Sequence, residues 1–140
     1  MSDEFSIGQL SKATGVKVPT IRYYEEINLL AAPPRSEGGQ RRYSKRQREQ
    51  LGFIVHAREM GFSIPAIREL LDLADHPERP CADADRIASE RLAEVRLRLA
   101  RLARLEDELV RMLDGHRSGK AGNCRILKIL GDHGQCLADH

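Results

Sequence analysis

Residues 84–113 contain no Gly and no Pro, and their apolar positions recur by fours and threes: Ala88, Leu92, Val95, Leu99, Leu102, Leu109 and Leu113, with Glu106 as the one break. This spacing predicts a single helix about 45 Å long carrying a narrow apolar seam. Between the seam positions stand Arg and Glu, as in Arg96, Arg98, Arg101 and Arg104. A charged rod with one apolar stripe cannot cover that stripe by itself. A heptad pattern sustained over about four heptads therefore predicts a two-fold homodimer.

Shorter periodic segments precede the rod. Ile7, Leu10 and Ala13 share a helical face, Ser6 stands where a cap belongs, and Thr14-Gly15-Val16 interrupts the pattern. A second segment runs to Glu26 with Pro19 in its first turn, where a missing N–H costs nothing. Two short helices joined by a Gly-containing turn make a helix-turn-helix. Its second helix offers Lys17, Thr20, Arg22, Tyr23 and Tyr24 to DNA, with one tyrosine of the pair expected in the core. Residues 32–43 then centre on Gly38-Gly39 between short flanks, which predicts a hairpin or wing bearing Arg35, Arg41, Arg42 and Tyr43. Residues 44–60 read as a helix ended by Gly61, and Ser63 caps another whose apolar residues are Ile64, Ile67, Leu70 and Leu71. Two prolines, Pro77 and Pro80, break the chain before Cys81 and the long helix.

Charge distribution adds to this picture what the overall +2 does not. Residues 1–48 hold nine Lys/Arg against five Asp/Glu, a net +4, and the remainder fourteen against sixteen, a net −2. The basic excess lies where a phosphate backbone would bind. Aromatics at 4% and charged residues at 31% suit a helical protein with much exposed surface. No apolar run long enough to span a membrane occurs, and Met1-Ser2-Asp3-Glu4 lacks the character of a signal peptide, so a cytoplasmic location is expected. There, three cysteines are expected as thiols or ligands and not as structural disulfides.

The cysteines and histidines are unevenly placed. Cys81 sits at the foot of the long helix, where the positive end of the macrodipole favours the thiolate that a borderline metal takes. Residues 116–140 hold His116, Cys124, His133, Cys136 and His140, a composition suited to metal binding. No paired Cys-x-x-Cys is present, which argues against a zinc ribbon. No His-Glu-x-x-His motif or separate catalytic domain is present either, so a zinc enzyme is not expected.

Three runs resemble the head of the MerR family of transcription regulators: the ten residues from Ile7 through Val16, then Thr20-Ile21-Arg22-Tyr23-Tyr24-Glu25, then Gly38-Gly39-Gln40-Arg41-Arg42-Tyr43. The likeness continues through Arg58-Glu59-Met60-Gly61-Phe62-Ser63 and Ile67-Arg68-Glu69-Leu70-Leu71. The resemblance implies a mainly all-α fold: a winged helix-turn-helix head (1–75), a hinge (76–83), an antiparallel coiled-coil dimerisation helix (84–113) and a short metal-binding loop and tail (114–140). It implies a homodimer on double-stranded promoter DNA that remodels an overlong spacer for RNA polymerase and activates a metal efflux or resistance gene.

The metal-sensing branch of that family carries a Cys at the base of the dimer helix and others in the loop that follows, shared between two chains. Cys81 and Cys124 stand where two of these would be, whereas Asp114-Gly115-His116 occupies the place of a further Cys. By the same resemblance, copper(I) sensors lack the helix-base Cys, so Cys81 argues for a divalent ion. A His in place of a loop Cys shifts preference toward zinc, with cadmium, lead, mercury and cobalt as the other candidates. Cys81 of one chain with Cys124, Cys136 and one histidine of the other would suit tetrahedral zinc; His133 and His116 lead as nitrogen donors, and His140 is a further candidate. The alternative is a regulator of the same fold that answers to an organic effector or to no metal.

Overall fold

Three serines start three helices of the head. In the computed structural model, which describes residues 4–33, 38–39, 42–114 and 119–132, Ser6, Ser44 and Ser63 each accept a hydrogen bond from the backbone amide three residues on, at 3.1–3.2 Å. At the first two, the third helical residue is a Gln that returns a bond to the serine's own N–H, at 2.8 Å for Gln9 and 2.7 Å for Gln47. These are capping boxes, and they satisfy amides that a helix start leaves without partners. The helices so begun are α1 (Ile7–Thr14), α3 (Lys45–Glu59) and α4 (Ile64–Ala74).

α2 (Val18–Glu26) has no side-chain cap at Lys17 and relies on Pro19 in its first turn. It follows α1 through Gly15, whose φ of 76° is the left-handed conformation that ends α1 and that a side chain would strain. Ser11 donates to the Val16 carbonyl at 2.6 Å, which tightens the turn between the two helices. α2 is closed by a turn at Asn28, which is also left-handed at φ 59°, and Leu29 and Leu30 both donate back to the Tyr24 carbonyl.

The chain divides into two units, Met1–Ala88 and Ser89–His140. The core of the first is built from Leu10 of α1, Ile21 and Tyr24 of α2, Leu29, Leu30, Tyr43, Leu51 and Ile54 of α3, and Ile67 of α4. Each fully buried Leu or Ile contributes about 1.5–3 kcal/mol. Among the described residues there is no strand. Phe5 and Tyr43 form an isolated antiparallel bridge, exchanging two backbone bonds of 2.8 Å. Tyr43, at the end of the expected wing, thus pairs with the segment before α1. Gly39 adopts φ 80° in its turn, while residues 34–37, 40 and 41 lie outside the described residues.

α5 (Ala82–Leu113) is the predicted long helix, begun two residues earlier than its apolar pattern suggests. Cys81 accepts from the Asp85 amide at 3.0 Å and so stands at the capping position. The buried apolar residue of its first turns is Ile87, and Ala88, where the expected seam begins, is exposed in the single chain like Leu92 after it. In the second unit Met112 is buried, while Leu99, Leu102, Leu109 and Leu113 of the seam remain about 60% exposed. α6 (Arg125–Gly131) follows a single 3₁₀ turn at Ala121–Asn123.

Tyr43 is fully buried, and its hydroxyl donates to Glu25 Oε1 at 2.6 Å. Replacing it with Phe removes that bond and should lower stability by about 1.5–3 kcal/mol. Urea denaturation at matched protein concentration checks this, and an unchanged midpoint would show that the bond adds nothing.

Candidate nucleic-acid interface and metal-binding segment

One side of α2 is spent on the core. Ile21, Tyr24 and Glu25 fall on one helical face and are buried, which turns Arg22, Tyr23 and Glu26 outward. Of the residues expected at DNA, Lys17, Arg22 and Tyr23 are exposed, Thr20 and Arg42 are half-buried, and Arg35 and Arg41 lie outside the described residues. Tyr24 and Tyr43 are in the core instead. Tyr24 shares the face of Ile21, and Tyr43 is drawn inward by its bridge to Phe5 and its bond to Glu25. Both therefore support α2 from its core side.

Sequence reasoning missed two basic residues that the fold brings into use. Arg48 of α3 lies over the Phe5 ring, 5.3 Å from its centroid. Arg68 of α4 donates to the carbonyls of Ile27 and Asn28 at the end of α2, at 2.8 and 3.1 Å. Neither was visible in a linear reading, because the partners lie some forty residues apart in both chains of contact: Phe5 with Arg48, and Ile27 with Arg68.

Of the expected metal ligands, Cys81 and Cys124 are free cysteines; Cys81 is exposed and Cys124 half-buried. Cys81 precedes α5, and Cys124 occupies the capping position of α6, where the Lys128 amide donates to its carbonyl at 3.2 Å. Arg125 donates to the Asp114 carbonyl at 2.7 Å, fastening the start of α6 to the end of α5. The ends of the segment between them are thereby bridged. His116, His133, Cys136 and His140 lie outside the described residues. Among the described residues no group of three or more His, Cys, Asp or Glu comes together as a metal site. The donors on hand, two thiols at helix starts, have the chemistry a borderline divalent ion takes.

Two family models match the chain: "MerR HTH family regulatory protein" over residues 5–74 and "MerR, DNA binding" over residues 48–112. The HTH-type transcriptional regulator ZntR of Escherichia coli (strain K12) is 41% identical over 129 residues, which is 90% of this chain and 92% of that protein. The chain belongs to the MerR family of helix-turn-helix regulators. Among solved structures, the regulator PbrR691 of Ralstonia metallidurans CH34, in complex with lead(II), superimposes with a TM-score of 0.78 at 34% identity, covering 90% of this chain and 98% of that one. A MerR regulator of Bacillus megaterium MB1 in complex with mercury(II) gives 0.70 at 28% identity, covering 91% and 100%. These relatives are transcription regulators, as the helix-turn-helix of α1 and α2 leads one to expect for a MerR protein. Among the described residues no helix is long and apolar enough to cross a membrane.

The two described thiols differ in exposure, and this predicts an order of reaction. In reduced, metal-free protein with Cys136 changed to Ser, Cys81 should be alkylated by iodoacetamide faster than Cys124, with peptide mass spectrometry as the measurement. The reverse order would contradict the half-buried setting of Cys124.

Proposed function

We propose that this MerR-family protein is a metal-responsive transcription regulator acting as a homodimer on promoter DNA, with zinc as its first-ranked ion and cadmium, lead, mercury and cobalt as the others. The observation that carries the reading is the pair of free cysteines at the starts of α5 and α6, with Arg125 beside the second fastened to Asp114. The metal-bound relatives supply context: one is solved with lead(II), another with mercury(II). Cys81 of one chain would hold the ion with Cys124, Cys136 and a histidine of the other, drawn from His133, His116 and His140. Thiolate and imidazole donors together favour zinc and its heavier congeners over magnesium or calcium.

The dimer would form along α5. Four leucines of the seam expose about 60% of their surface in the single chain, a stripe that a second copy of the same helix fits by the heptad rule. Lys17, Arg22 and Tyr23 would enter the DNA groove from each head, with Thr20 at their edge. Arg35, Arg41 and Arg42 would contact phosphates beyond it. Phosphate contacts set register, while base contacts and DNA deformability choose the operator. A site built from both chains senses how the chains are placed, so an ion with unequal affinity for two dimer arrangements shifts their populations. In the arrangement favoured by the ion, the heads would bend and untwist a promoter with an overlong spacer for RNA polymerase, switching on an efflux or resistance gene.

Titrating reduced protein with zinc, cadmium, lead, cobalt and mercury, alongside single Cys→Ser variants, tests the metal. Tight stoichiometric binding should be lost in Cys81→Ser and in Cys124→Ser; retention in both would remove the two cysteines as ligands. Arg22→Ala should weaken specific promoter binding by about 1–3 kcal/mol at fixed salt, read by gel shift, and an unchanged affinity would reject α2 as the reading helix. Sedimentation at micromolar concentration should give a dimer that Leu99→Glu with Leu102→Glu disrupts, whereas a monomeric parent would overturn the assignment of the seam.

A further inference from the structure

Neighbouring residues of α4 bond to the turn that closes α2 and to the first turns of α5. Arg68 donates to the Ile27 and Asn28 carbonyls that close the recognition helix α2, at 2.8 and 3.1 Å, and Glu69 accepts from Arg86 of α5 at 2.8 Å. We infer that α4 is a relay, in which Arg68 and Glu69 make the carboxyl end of the recognition helix respond to the position of the first turns of α5.

The end of α2 is suited to such control. Its last carbonyls have no partner within the helix, and Asn28 is left-handed without being glycine. The carbonyls of Tyr23, Tyr24 and Glu25 are taken by backbone amides of residues 27–30, and Arg68 supplies a charged donor to those of Ile27 and Asn28 in the turn that closes the helix, a stronger arrangement than neutral bonds. Beside it lies an open groove of about 380 Å³ lined by Asn28, Leu29, Gln50, Arg68, Leu71 and Asp72. Ile67, the residue before Arg68, is fully buried and pins α4 to the core, so a small rotation about it moves Arg68 and Glu69 together.

A second link joins α4 to the entry of α5. Arg79 bonds to Asp72 at 2.8 Å and to Asp83 at 3.6 Å, spanning the break between the two helices. Cys81 lies inside that span, five positions before Arg86. The inference rests on the proposed function only in naming what moves α5: a ligand held at Cys81 would act on the same turns that Glu69 contacts. Two exposed links of this kind predict a modest effect, not an all-or-none one.

The test is amide hydrogen exchange on the full-length metal-free protein, comparing the parent, Arg68→Ala, Arg86→Glu, and Glu69→Arg combined with Arg86→Glu. Exchange at Leu29 and Leu30, whose amides close α2 onto Tyr24, should rise roughly threefold in Arg86→Glu and return toward the parent value in the charge-swapped double variant. If Arg68→Ala speeds exchange there but Arg86→Glu does not, Arg68 is only a local cap and the relay is overturned. The same result follows if the double variant fails to restore protection. Zinc-dependent transcription in vitro, run on the parent in parallel, separates the two readings. A parent that ignores zinc while the exchange pattern holds would remove the proposed effector and leave the relay in place.

Discussion

A helix of nine residues such as α2 cannot hold its own shape, since isolated helices shorter than about 12–15 residues are marginal in water. Everything that makes α2 a usable surface comes from what lies behind it. Ile21 and Tyr24 bury one side, the Tyr43 hydroxyl reaches Glu25 from the far end of the hairpin segment, and Arg68 closes the carboxyl end. Arg22 and Tyr23 face outward as the complement of that burial. The head therefore presents one short helix, and the buried residues behind it decide how it is presented.

The second unit obeys the opposite constraint. α5 runs 32 residues, long enough for backbone bonding to sustain itself, and its weakness is an apolar stripe that a single chain leaves in water. The Arg and Glu residues between the leucines keep the helix soluble but cannot cover the seam. In the proposed homodimer a second copy would remove the stripe from solvent by the heptad match that created it. Pairing would thus answer the sequence pattern as well as join two heads.

The thiols connect these halves of the argument. Cys81 stands where α4 gives way to α5, and Cys124 where α6 begins, so both sit at helix boundaries, where a small displacement is not resisted by a continuous backbone ladder. Around Cys81 the surrounding contacts are ionic: Arg79 with Asp72 and Asp83, and Arg86 with Glu69. Such contacts shift partners at small cost, unlike the packed apolar core from Leu10 to Ile67. A region that answers to a ligand should be built in this way.

Local signals were enough to determine the helices. The capping serines, the left-handed Gly15 and the heptad spacing each act within a few residues, and so the helix-turn-helix, α3, α4 and the long rod were all legible in the linear chain, as was the family. The direction of the two adjacent tyrosines was only half legible: one had to be inside, and the phase of Ile21 made it Tyr24. Tyr43 was read as a DNA contact and proved to be core. Its burial depends on Phe5 and Glu25, which are distant in sequence and carry no local mark. The bonds from Arg68 to the end of α2 and from Arg125 to Asp114 were likewise decided only in three dimensions. Periodicity and capping are properties of neighbours along the chain, whereas a side chain's partner across the fold is settled only when helices pack.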